Sequence, residues 1–188
     1  ASFHAPSEQH IIGGSDAATC DFPSAVLVMG KSEEFGPREF FRCSAALVHP
    51  QLILTAAHCL NDGISLTSVR FGENALEAPA RSVVITGCAR HPTYNISSSS
   101  SDMAVCSLAE PVEDVPIVPP LMGCEAEVLQ PGKTVAQVGF GASSTNPDGG
   151  SGTKRWAPMR IEDFPWTEND LVLDARKVLD AHGRPAHR

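Results

Sequence analysis

From Ala25 onward, short apolar runs alternate with turn-forming residues: AVLVMG, FFRCSAALV, LILTAA, SVRFG, SVVITGCA, DMAVCSL and TVAQVGFG. The runs are rich in Val, Ile and Phe and are bounded by Gly, Pro, Asn and Asp, which is how strands are punctuated. Further on, in KRWAPMRIEDF, Met159 and Ile161 alternate with Arg160 and Glu162, as a half-buried strand requires. The pattern predicts an all-β sandwich or barrel.

Between these runs the chain divides into parts. Residues 1–10 are polar and lack periodicity, and read as a leader arm outside the core. The stretch 109–131 carries Pro111, Pro116, Pro119, Pro120 and Pro131 and reads as an extended connector between two halves. Residues 143–152, SSTNPDGGSG, read as a polar, flexible loop. In the last segment Leu171, Ala175, Val178, Leu179 and His182 fall at helical spacing after a potential cap at Thr167, while LVL alone suits a strand. The resulting boundaries are 1–10, 11–120 and 121–188.

Composition narrows the class. With 42% hydrophobic and 19% charged residues the 188-residue chain can build a core. A formal charge of −8 argues against nucleic acid or an anionic membrane as partner, since both are recognised by clustered Lys and Arg. No run is apolar for long enough to cross a bilayer as a helix. The chain reads as a mature product from which any signal peptide has gone.

Six cysteines, Cys20, Cys43, Cys59, Cys88, Cys106 and Cys124, form an even set without a CxxC pair. Zinc ribbons and thioredoxin-type sites are therefore poorly supported, and disulfides in an oxidising, extracytoplasmic compartment are expected. The tripeptide Asn95-Ile96-Ser97 has the N-glycosylation acceptor pattern.

Two segments carry candidate chemistry. Thr55-Ala56-Ala57-His58-Cys59 follows an apolar run, with Cys43 sixteen residues upstream of Cys59. A Cys43–Cys59 disulfide would clamp the backbone beside the histidine, contributing on the order of 3 kcal/mol. Ser101-Asp102-Met103-Ala104-Val105 places an acid at the opening of a buried strand. Either residue alone would be read as structural, and the significance lies in the pair.

Taken together, Ile11-Ile12-Gly13-Gly14, the TAAHC segment around His58, Ser101-Asp102-Met103-Ala104 and Val138-Gly139-Phe140-Gly141 resemble the trypsin-like serine protease family in order and approximate spacing. The resemblance implies two six-stranded β-barrels packed face to face around a cleft. It implies His58 as general base and acid, Asp102 as the group that fixes its tautomer, and Ile11 as the mature N-terminus. It also implies protein or peptide substrates.

The sequence departs from that pattern in its later part. No GDSGGP-like nucleophile segment is present, and no serine or cysteine follows Ser151. Asp148-Gly149-Gly150-Ser151-Gly152 has similar residues in the wrong order. The expectation is a first barrel that is complete, a second that is not, and a chain inactive on its own. The alternative is a secreted pseudoprotease acting as a protein-binding or regulatory module, with association through the incomplete second barrel. Cleavage before Ile11 is then expected not to rigidify the site, since the aspartate that receives the new ammonium in the family is missing too.

The six cysteines allow many connectivities, of which the motif supports Cys43–Cys59 alone. Cys88 and Cys106 would pair if register sets them opposite. Cys20 and Cys124 are then left for each other or for a cysteine elsewhere. No metal and no cofactor is expected: the segment Glu73-Asn74-Ala75-Leu76-Glu77, where relatives can hold calcium, offers few oxygen ligands.

Overall fold

The computed structural model describes residues 14–32, 41–61, 63–98, 100–143, 151–163 and 172–173. Within them, strands β1 (Ser15–Asp16), β2 (Ala25–Ser32), β3 (Phe41–His49), β4 (Leu52–Thr55), β5 (Ile64–Phe71), β6 (Arg81–Arg90), β7 (Ala104–Leu108), β8 (Thr134–Gly139), β9 (Arg155–Asp163) and β10 (Val172–Leu173) follow one another. Strands β2 to β7 close into a barrel in the order β2-β3-β4-β7-β6-β5. Every pair in it is antiparallel. A closed barrel leaves no edge strand, so residues 25–108 form a self-satisfied unit.

The barrel interior follows from side-chain alternation. On β7, Ala104, Cys106 and Leu108 are buried while Val105 and Ser107 face out. Val26, Val28, Leu47, Ile53, Val69, Val83 and Val112 join Cys106 and Leu108 in one cluster. Fully burying a side chain of this size stabilises by about 1.5–3 kcal/mol.

Strand β2 departs from alternation, since Val26, Leu27, Val28 and Met29 are all buried. Val26 and Val28 point into the barrel, whereas Leu27 and Met29 on the outer face pack with Ala75 and Phe140. A continuous apolar run thus marks a strand covered on both sides.

The cover is the second sheet. Its centre is β9, paired with β8 along one edge and with β1 and β10 along the chain. Ser15 and Asp16, which the sequence groups with residues 11–120, pair with Trp156 and Arg155. Arg155 reinforces this by donating to the Asp16 carboxylate and to the Gly14 carbonyl. The connector contains a 3₁₀ turn over Gly123–Val128 with no buried residue.

The loop read as reaching residue 152 ends earlier. Ser151 and Gly152 bridge the two halves: Arg42 donates to Ser151 Oγ at 2.7 Å and Ala75 N–H to Gly152 O at 3.1 Å, while Gly152 N–H donates to Phe140 O at 2.8 Å. Gly152 has a φ of +97°, and a Cβ there would lie 2.4 Å from Leu76 Cβ. Only glycine permits this approach. Residues 144–150, the leader arm, Ile11 and nearly all of the segment with mixed helix and strand signals lie outside the described residues; Val172–Leu173, within LVL, is a strand.

Candidate active site

The barrel register brings His58 and Asp102 together. Thr55 at the end of β4 pairs with Ala104 at the start of β7. His58 lies just after the first and Asp102 just before the second, so both emerge at the same rim. A 3₁₀ turn over Ala57–Leu60 buries Ala57 and Cys59 and leaves His58 exposed between them. The Cys43–Cys59 disulfide ties this turn to β3.

Asp102 approaches through a tight bend. Ser101 holds a left-handed φ of 53°, and Met103 N–H donates to Ser101 O at 2.7 Å. The carboxylate then engages His58 twice: Oδ1 accepts the backbone N–H at 2.8 Å, and Oδ2 lies 2.7 Å from Nδ1. An ionised carboxylate is an acceptor only, so Nδ1 carries the proton and Nε2 presents a lone pair. Among the described residues Nε2 makes no hydrogen bond, and the imidazole is about half exposed, at 49%. The arrangement can accept a proton from a hydroxyl at Nε2 while the charge formed is stabilised by Asp102.

Further residues buttress the dyad without any signal in the sequence pattern. Asn61, whose N–H donates to His58 O, gives its side-chain N–H to the hydroxyl of Tyr94 at 2.9 Å. Arg90 donates to Leu60 O and lies over the Tyr94 ring. Thr55 Oγ1 donates to Ser44 O, and Ser44 Oγ accepts the N–H of Phe140 at 2.9 Å. The histidine turn is thus connected to the second sheet.

The cysteines resolve as follows. Cys43 is bonded to Cys59, and Cys88 to Cys106, which register places directly opposite one another. Cys20 and Cys124, left by the sequence for each other or for a cysteine elsewhere, are not joined to each other: both are exposed thiols. Cys20 is held in a turn of its own, with a φ of 68° and its N–H donating to the Glu73 carboxylate, while Cys124 lies in the connector. Cys43, His58 and Cys59 lie close enough to suggest a metal site, but disulfide sulfurs offer no thiolate.

Lys154 is a buried cation, 2% exposed. Its Nζ donates to the carbonyls of Asp21 and Phe22, both at 3.2 Å, and sits 5.9 Å from the Phe140 ring centroid. Desolvation pulls its pKa below 10.5, against the opposing pull of Glu73 and Asp21.

A closed six-stranded barrel carrying a His–Asp dyad at its rim, packed on a second antiparallel sheet, defines a chymotrypsin-type serine protease fold. The family model described as Trypsin matches residues 11–157, and the chain belongs to that family. Among curated proteins it is 32% identical over 143 residues to serine proteinase stubble of Drosophila melanogaster, covering 73% of this chain and 18% of that protein. It is 31% identical over 106 residues to trypsin of Phaedon cochleariae, covering 55% and 38%. The chain thus spans less than half the length of either relative. The solved structure of HL collagenase matches with a TM-score of 0.69 at 19% identity, over 89% of this chain and 72% of that one, which is a likeness of fold.

Proposed function

We propose that the chain supplies the His58–Asp102 half of a serine endopeptidase site acting on protein or peptide substrates, and that these 188 residues alone do not hydrolyse peptides by that route. The double hydrogen bond from His58 to Asp102 carries the first part, because it is the geometry that fixes the base and shields its charge. His58 Nε2 takes a proton from a serine hydroxyl and returns it to the leaving amine, and Asp102 stabilises the imidazolium. Ile11 is the mature N-terminus in this reading. The two disulfides support an extracytoplasmic location.

Residues 152–188 hold no serine or cysteine, which supports the second part; a second reading is a pseudoprotease that binds a protein partner. A fluorophosphonate probe tests the inactivity: no serine of the 188-residue chain is expected to be labelled. A stable adduct that disappears in His58→Ala would overturn it. Intact mass of the protein from its natural source separates the two readings. A polypeptide several kilodaltons above 19.9 kDa places the nucleophile in the added segment, and a mass matching this chain favours the binding module.

A further inference from the structure

The loop that leads into Asp102 carries chemistry the dyad does not use. Asn95-Ile96-Ser97 is the single Asn-x-Ser/Thr sequence in the chain, with Ile at the middle position. All three residues are exposed, Ile96 to 59%. An apolar side chain left in solvent beside an acceptor asparagine marks a segment the barrel does not cover.

The local geometry presents the right atoms. Asn95 Oδ1 accepts the backbone N–H of Ser97 at 2.9 Å and that of Ser98 at 3.3 Å, an Asx turn that brings Ser97 back toward the amide. The amide nitrogen Nδ2 makes no hydrogen bond among the described residues. The base of the loop is firm: Asn95 N–H donates to Ser100 O at 3.1 Å, and neighbouring Tyr94 accepts from Asn61 behind the His58 turn.

We propose that Asn95 is an N-glycosylation site, rooted on the loop that supplies Asp102. Its Nδ2 displaces the diphosphate of a lipid-linked oligosaccharide. An N–C bond to the sugar forms, the C–O bond to diphosphate breaks, and one amide proton is lost. The inference rests on the extracytoplasmic location but not on catalysis.

The test expresses the full 188-residue chain behind a secretory signal in a eukaryotic cell and analyses all protein that has entered the secretory lumen or the medium. Wild type is expected to carry one oligosaccharide, removed by peptide N-glycosidase with conversion of the asparagine to aspartate. Asn95→Gln is expected to lose it. Ser97→Ala is the sharper variant, because it keeps the backbone N–H that closes the turn and removes only the hydroxyl, and it is expected to lose the glycan while Ser98→Ala retains it. Translocated wild-type protein with unmodified Asn95, or an oligosaccharide that survives Ser97→Ala, would overturn the proposal whether or not the chain is secreted in nature.

Discussion

Ser44 Oγ on β3 accepts the N–H of Phe140 at 2.9 Å, joining the first barrel to the second sheet through one hydrogen bond between residues 96 apart in sequence. Ser44→Ala leaves a partly buried N–H without its partner and is expected to destabilise by about 1–2 kcal/mol. Chemical denaturation checks this, and a change within error would show that solvent satisfies Phe140.

Gly152→Ala is expected to be far more damaging than its size suggests. The new methyl would stand against Leu76 Cβ, which cannot rotate away, and the backbone is left-handed. A loss of about 2–4 kcal/mol, or undocking of residues 151–154, is expected. Hydrogen exchange at Ala75 reads the undocking directly, because its N–H bonds to Gly152 O.

Lys154 gives stability a pH dependence with a definite sign. Its folded pKa lies below 10.5, so the unfolded chain binds more protons between the two values and stability rises as pH climbs through that window. The contribution is fully present above 10.5 and lost as pH falls through the folded value. Denaturation midpoints at successive alkaline pH values, compared with Lys154→Met, are expected to show this upward component only in wild type.

Replacing both Cys88 and Cys106 by Ser removes a cross-strand link of sequence separation 18. The chain-entropy estimate is a loss of about 3 kcal/mol. Urea titration of the double variant measures it. Cys20→Ser and Cys124→Ser, both exposed thiols, are expected to leave the midpoint unchanged.

Asp102→Ala should release the histidine turn. The His58 amide loses its acceptor, and its hydrogen exchange is expected to accelerate while exchange at Val28 in the barrel core stays slow. Equal acceleration at both sites would show that Asp102 stabilises the whole barrel.

The strands of the first barrel were legible because each is short, apolar and closed by a turn residue. Val26 to Met29 belonged to that pattern, but the sequence could not show that their two faces serve different clusters. The two-residue strand Ser15–Asp16 is polar and exposed, so no periodicity announced it. His58 and Asp102 stood out only as motifs; their contact depends on the pairing of Thr55 with Ala104, a register the linear chain does not display. Elimination leaves Cys20 and Cys124 for each other or for a cysteine elsewhere, and it takes no account of the turn that holds Cys20. Lys154 is polar in sequence yet buried, because the carbonyls that receive it come from a turn more than a hundred residues earlier.

The pairing of β1 with β9 orders events during synthesis. The barrel strands all lie within residues 25–108 and can close on one another once that stretch is made. Asp16 must wait for Arg155, 139 residues later, before its strand has a neighbour. Loop-closure entropy rises only with the logarithm of chain length, and a barrel already formed shortens the effective loop. Ser15 and Asp16 therefore precede the barrel strands in the chain yet gain their neighbour after them, and they fasten the second sheet once the first barrel has set.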